Sequence, residues 1–217
     1  MPIILSKVRI KNYRSIESLS LELGSLNLLI GQNNTGKTNF LKAINLAISG
    51  ATDILENDIY MAKDERLEQT KSAVIDIVFQ PTDDSGNICE VFSGFWTSVF
   101  TDSWITTSID GYFVGIRTEI KFDTIKDSYG TSRYCIRQWG NSIEDATVEI
   151  NRTMFTEDMR AYLQSFYMDA NRDIVQDLRN RKSYFGRVTS SYDLTEETIS
   201  EIEAQLNTVN TKIIESI

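Results

Sequence analysis

The sequence has no histidine, two cysteines, two prolines and no excess of positive charge. Without histidine, a Ser-His-Asp arrangement, a histidine general base and a histidine metal ligand are all excluded within these residues. Any chemistry therefore falls to carboxylates, Lys, Arg, hydroxyls, backbone amides or a bound metal. The two cysteines, Cys89 and Cys135, sit in strand-like segments and read as buried, reduced thiols. No stretch approaches the roughly 20 consecutive apolar residues of a membrane span. The N-terminus has no basic start before a long apolar run, so a signal peptide is not expected and the protein reads as cytoplasmic, with no membrane partner. Twenty-two basic against 31 acidic residues give a net charge of −9. That is the reverse of a duplex-binding surface, although local basic patches remain possible. What is present is a chain of 217 residues, 41% hydrophobic, enough for one ordinary domain with a core and a smaller appended piece.

Residues 3–10 alternate as a strand, with Val8 and Ile10 set against Lys7, Arg9 and Lys11; Asn12-Tyr13-Arg14-Ser15 makes a turn, and residues 18–23 alternate again. Leu26-Asn27-Leu28-Leu29-Ile30 reads as a short strand buried on both faces. Beyond Lys37 the period becomes helical, with Phe40, Leu41, Ile44, Ala47 and Ile48 on one stripe and Gly50 as a stop. Residues 51–70 are polar and read as a loop with a short helix. Residues 73–79 form a strand closed by Pro81 and the turn around Asp83-Asp84-Ser85-Gly86-Asn87. Short β-like runs at 88–96, 111–122, 132–139 and 146–150 suggest an antiparallel meander. The chain turns helical from Thr156. Residues 195–217 carry Ile199, Ile202, Leu206, Val209, Ile213 and Ile217 at three- and four-residue spacings, an amphipathic helix whose apolar stripe is too long to stay exposed.

The chemistry is concentrated at residues 31–38, Gly31-Gln32-Asn33-Asn34-Thr35-Gly36-Lys37-Thr38, which fit G-x-x-x-x-G-K-[ST] between a strand and a helix. Gly31 and Gly36 let the backbone fold tightly and bring its N–H groups to phosphate oxygens. The helix that opens near Lys37 points its positive end at the same anion. Lys37 reaches the β and γ phosphates, and Thr38 offers a hydroxyl to Mg²⁺. A Gly-rich structural turn would explain the glycines but not the Lys-Thr pair. No Asn-Lys-x-Asp guanine reader is present, so ATP with Mg²⁺ is expected. A hydrolytic site also needs a strand ending in Asp, usually followed by Glu. The candidates are Asp76, which alternation places towards solvent in mid-strand, and Asp169, preceded by three apolar residues and followed by Ala170; neither fits. No Leu-Ser-Gly-Gly signature occurs, which leaves half a nucleotide site and no catalytic residue within the chain.

Lys11-Asn12-Tyr13-Arg14-Ser15-Ile16, with Ile30-Gly31-Gln32-Asn33-Asn34-Thr35-Gly36-Lys37-Thr38-Asn39, resembles the opening of ABC-type ATPases of the SMC and RecF branch. Phe166-Tyr167-Met168-Asp169-Ala170-Asn171-Arg172-Asp173-Ile174 and the stretch from Arg179 to Arg187 are similar to segments of OLD-family (overcoming lysogenisation defect) nucleases. The resemblance implies an α/β P-loop NTPase of ABC/SMC type: a mixed sheet with an antiparallel β subdomain, then helices at the C-terminal end. It implies an ATPase lobe over 1–190, with a β-rich section at 73–150, and the start of a helical, dimer-forming insertion at 191–217. It also implies that Arg14 lies near the nucleotide phosphates and that Gln32, Asn33, Asn34, Thr35 and Asn39 belong to the phosphate site. In such proteins a Toprim domain cuts DNA, and many members act against phage. This chain lacks that domain and the second ATPase lobe, and so reads as the N-terminal part of a longer, DNA-binding homo-oligomer. A clamp-type repair ATPase without nuclease activity, or a binding-only regulatory module, are the alternatives.

Two basic clusters remain open. Lys7, Arg9 and Lys11 share one strand face, with Arg14 nearby, and suit either a solvated edge strand or a DNA contact. Arg179, Arg181, Lys182 and Arg187, interleaved with Tyr184 and Phe185, suit nucleic acid or a partner or structural role. Trp96, Trp104 and Trp139 read as core or domain-contact residues.

Overall fold

The computed structural model describes residues 2–32, 35–49, 54–63, 65, 71–109 and 111–149, and beyond them the isolated positions 159, 162, 163, 165, 200 and 204. The chain divides into two compact units, Met1–Tyr167 and Met168–Ile217. The architecture below is that of the first. Asn33, Asn34, Gly50, the segment 166–187 with Asp169 and the second basic cluster, and nearly all of the helix expected at 195–217 lie outside the described residues.

Alternation produces the sheet. Strand β1 (Ile3–Tyr13) turns through Arg14-Ser15 into β2 (Ile16–Glu22), and β3 (Ala73–Pro81) pairs along the other edge of β1. Next come β4 (Ile105–Ser108), β5 (Gly111–Asp123), β6 (Ser128–Gln138) and β7 (Thr147–Glu149). The strand order is β2-β1-β3-β5-β6-β7, with β4 paired to the start of β5, and every described ladder is antiparallel. Val8 and Ile10, Ile75 and Ile77, and Val114, Ile116 and Ile120 point to one face. Helix α1 (Lys37–Ser49) covers that face with Phe40, Ala43, Leu46 and Ala47. The helical stripe is slightly rotated from the one expected, since Ala43 and Leu46 are buried while Leu41 is exposed. Arg133 of β6 donates to the Leu46 carbonyl near the C-terminal end of α1, supplying the cation that the helix's own last turn lacks.

The opposite face corrects two expectations. Asp76 does not face solvent: it is fully buried and receives Nε and Nη2 of Arg117 at 2.7 Å each. The cations of β1 do not line an edge strand, because β1 is flanked by β2 and β3. Arg9 is 3% exposed, lies 3.7 Å from the centre of the Trp139 ring, and donates to the carbonyls of Trp139 (2.9 Å), Gly140 (2.7 Å) and Ser142. Arg117 adds the Ile143 carbonyl at 2.6 Å, and Lys11 pairs with Glu144, holding its carboxyl down at about 2. Residues 139–145 are thus strapped across the sheet by three cations. Burial pushes the Asp76 carboxyl above the ordinary range, opposed by Arg117 and Arg9.

Three further departures have physical causes. The run at 88–96 is not a strand: α2 (Gly94–Trp104) starts there and buries Val99, Phe100 and Trp104, with Trp96 stacked on Phe100. Residues 26–30 form no strand and are largely exposed, with Leu26, Leu28 and Ile30 each more than 80% accessible. An apolar run becomes a doubly buried strand only with neighbours on either side, and no described strand pairs with it. Of the two thiols, Cys135 is buried in β6, whereas Cys89 is half-buried outside any strand. The Asp83 carboxylate closes its turn by accepting from Asn87 and Ser85, and these bonds, those from Asn87 foremost, hold it below the usual range.

Asp76→Ala would leave the Arg117 guanidinium without its carboxylate and remove the negative charge nearest Arg9. We expect it to lower stability by about 3–5 kcal/mol in urea unfolding; a change under 1 kcal/mol would mean that the pair is not structural.

Candidate functional site

Helix α1 is preceded by Gly36, which has no side chain with which to cap it. Its first bond runs from the Phe40 N–H to the Gly36 carbonyl at 2.9 Å, so the N–H groups of Lys37, Thr38 and Asn39 have no partner within the helix. No acidic side chain occupies the first turn. The positive end of the helix is therefore uncompensated by its own sequence.

The residues before it curl over that end. Gly36 takes φ +93°, a left-handed conformation that L side chains rarely adopt, and a Cβ there would stand 3.1 Å from Ser15 Oγ. At Gly31 a Cβ would stand 2.9 Å from Thr35 Oγ1. Thr35 Oγ1 donates to the Gln32 carbonyl at 2.9 Å. The Lys37 ammonium folds back across the loop and donates to the carbonyls of Gly31 (2.7 Å) and Gln32 (2.6 Å). A single lysine thus ties the first turn of α1 back to the two residues that open the loop. Thr38 follows on the exposed side of the first turn.

The hairpin tip forms the other wall. Asn39 donates to Ser15 Oγ at 2.8 Å, tying the Tyr13-Arg14-Ser15 turn to α1. Between hairpin and loop lies a cleft of about 560 Å³ lined by Ser15, Ile16, Gly31, Thr35, Gly36 and Lys37. A cleft of similar size, about 580 Å³, lies beside Ile3, Leu5, Leu23, Phe40 and Ile44; it carries no cationic group and is unsuited to an anion. Arg14 does not line the cleft by the loop. Its Nε and Nη2 meet Asp58 Oδ1 at 2.7 and 2.6 Å, and its N–H meets the Asp58 carbonyl at 2.9 Å. Asp58, in a 3-10 turn (Glu56–Asp58), is a residue that sequence reasoning missed. It is one acidic residue in a polar stretch, with no periodic pattern to mark it.

The geometry brings together Gly31, Gln32, Thr35, Gly36, Lys37, Thr38 and Asn39, with Ser15 of the hairpin. The AAA ATPase domain family matches residues 4–216. The chain belongs to that family. Among its relatives, Endonuclease GajA of Bacillus cereus (strain VD045) is 23% identical over 218 residues, covering 96% of this chain and 34% of that protein. The OLD nuclease of Thermus scotoductus (strain ATCC 700910 / SA-01) is 30% identical over 78 residues, 36% of this chain and 15% of that protein. The DNA replication and repair protein RecF of Rickettsia typhi (strain ATCC VR-144 / Wilmington) is 24% identical over 131 residues, 54% of this chain and 36% of that protein. A solved structure of the recombination mediator protein RecF with ATP is similar at a TM-score of 0.35 and 15% identity, over 60% of this chain and 26% of that one. The chain therefore spans about a third of the length of GajA and is an ATPase domain related to OLD and GajA nucleases and to RecF. Family membership implies ATP use, typically with Mg²⁺. Among the described residues no helix is long and apolar enough to cross a membrane, and no group of three or more acidic or thiol side chains is placed to hold a metal.

Lys37→Ala should weaken Mg-ATP binding by roughly 10- to 100-fold in calorimetric titration, the magnitude of lost charge-assisted hydrogen bonds. Gly36→Ala should weaken it comparably through backbone strain and contact with Ser15. Near-wild-type affinity in either variant would contradict the geometry.

Proposed function

We propose that residues 31–38 bind the polyphosphate of Mg-ATP, and that the chain is the N-terminal ATPase portion of an OLD-type DNA endonuclease. In this reading ATP regulates DNA cleavage carried out by a Toprim domain elsewhere in the polypeptide, in defence against phage. Residues 1–190 form the ATPase lobe, and 191–217 begin a helical insertion that pairs protomers.

One observation carries the nucleotide reading: the Lys37 ammonium reaches back to the Gly31 and Gln32 carbonyls from the uncompensated positive end of α1. The residues fit the ligand. Gly31 and Gly36 leave the backbone without a Cβ where one would crowd Thr35 and Ser15, and the amides of Lys37, Thr38 and Asn39, unpaired within the helix, suit phosphate oxygens. Lys37 would meet the outer phosphates and Thr38 would offer its hydroxyl to the metal; bound Mg²⁺ would supply neutralisation of phosphate charge. The nuclease reading is supported by similarity to GajA along 96% of the chain. Similarity to RecF favours a second reading, a DNA-clamping ATPase that does not cut.

Of the described carboxylates, Glu17 reaches the cleft only from the exposed start of β2, and Asp76 is locked to Arg117 on the far face of the sheet; neither ends a buried strand beside the loop. The purified chain should therefore bind Mg-ATP and release little or no phosphate; brisk turnover in a phosphate-release assay would contradict this. For the whole gene product, plasmid nicking that changes in Lys37→Ala supports the nuclease reading. Intact ATP binding with no cleavage under any metal favours the clamp.

A further inference from the structure

We infer that Asp58 is a positioning residue for the phosphate loop, acting through the hairpin tip at Arg14 and Ser15; the inference rests on the reading that residues 31–38 bind nucleotide phosphates. Asp58 is buried, and its carboxylate is fully engaged. Oδ1 accepts both Arg14 Nε and Nη2, while Oδ2 accepts the Leu55 N–H at 2.9 Å. Its own carbonyl accepts the Arg14 N–H. Asp58 therefore grips residue 14 by both backbone and side chain.

That grip falls where the chain is least at ease. Tyr13 pairs with Ile16, so Arg14 and Ser15 form a two-residue hairpin loop. Arg14 takes φ 50° at its first position, where glycine, asparagine or aspartate is favoured. A long arginine holds this conformation while bonded to a carboxylate from a segment more than forty residues downstream. The neighbouring backbone reinforces the seat, for Tyr13 bridges Ile59 and the Tyr60 N–H donates to the Asn12 carbonyl at 2.9 Å.

On its other side the tip meets the loop. Ser15 Oγ accepts from Asn39 and stands against Gly36, the two residues that bracket Lys37 and Thr38. A continuous set of contacts therefore runs from Asp58 through Arg14 and Ser15 to the first turn of α1. Removing the carboxylate frees the tip to relax from its left-handed turn, and Ser15 then no longer holds Asn39 and Gly36 in place. A merely structural Asp58 would lower the unfolding midpoint but leave nucleotide affinity in the folded protein unchanged and uncoupled from Ser15.

The test is fluorescence titration with a methylanthraniloyl-labelled ATP and Mg²⁺, below the unfolding midpoint of each variant as measured by circular dichroism. Asp58→Asn and Arg14→Gln are each expected to weaken binding about five- to tenfold. Asp58→Asn/Ser15→Ala should bind within about twofold of Asp58→Asn alone, because both changes act on one chain of contacts. Affinity within twofold of wild type in Asp58→Asn and Arg14→Gln, or effects of Asp58→Asn and Ser15→Ala that multiply, overturns the inference. Should Asp58→Asn not fold, Arg14→Gln, which keeps the backbone bond to Asp58, decides by the same criterion. Wild type and Lys37→Ala binding equally would sink the phosphate-loop reading and this inference together. Loss of binding in Lys37→Ala with no loss in Arg14→Gln and Asp58→Asn would sink this inference alone.

Discussion

The Lys37 ammonium sits within hydrogen-bond distance of the Gly31 and Gln32 carbonyls, above backbone amides that the helix itself cannot satisfy. Positive charge on a flexible stem and positive charge from a fixed helix end are thereby focused on one spot. Neither would be useful alone: an isolated helix end is a weak anion site, and a lone lysine is a solvated point charge. The rest of the described unit holds these two in register. The sheet carries α1 across its apolar face, Arg133 braces the far end of the helix, and the β1–β2 hairpin closes the near end through Ser15.

The second face of the sheet is organised by the same preference for paired charge. Arg9, Lys11 and Arg117 are committed to the Trp139 ring, Asp76, Glu144 and the carbonyls of Trp139, Gly140, Ser142 and Ile143. Arg9 and Lys11 of the basic stripe thus form the underside of a strap, while Lys7 lies beside Glu22. In a chain of net charge −9, this commitment leaves the ammonium at the loop as a distinct positive feature of its cleft.

Much of this was legible in the sequence. Gly31, Gly36, Lys37 and Thr38 announce the loop because each occupies a position that very few residue types serve. Alternation marks β1 and β2, and β-like runs bounded by turn residues mark β3 and β5. What escaped reading depended on partners distant in sequence. Asp76 sits at a position alternation assigns to solvent, yet residues 139–145 cover that face. Residues 26–30 have the composition of a doubly buried strand, but composition says nothing about whether neighbours are at hand. Around Phe92, Phe95 and Trp96, aromatic content favours a strand, whereas packing against Phe79 and Phe100 selects a helix from Gly94. Asp58 has no local signature; only the fold brings it to Arg14.

The central claim is that the start of α1 and the Lys37 ammonium together receive a polyphosphate. Amide hydrogen exchange across residues 31–40, with and without Mg-ATP, tests it most directly. The account predicts that the amides of residues 36–39 exchange more slowly when nucleotide is present, and that Lys37→Ala abolishes the slowing. Saturating Mg-ATP that leaves those amides unchanged while protecting another part of the chain would contradict it.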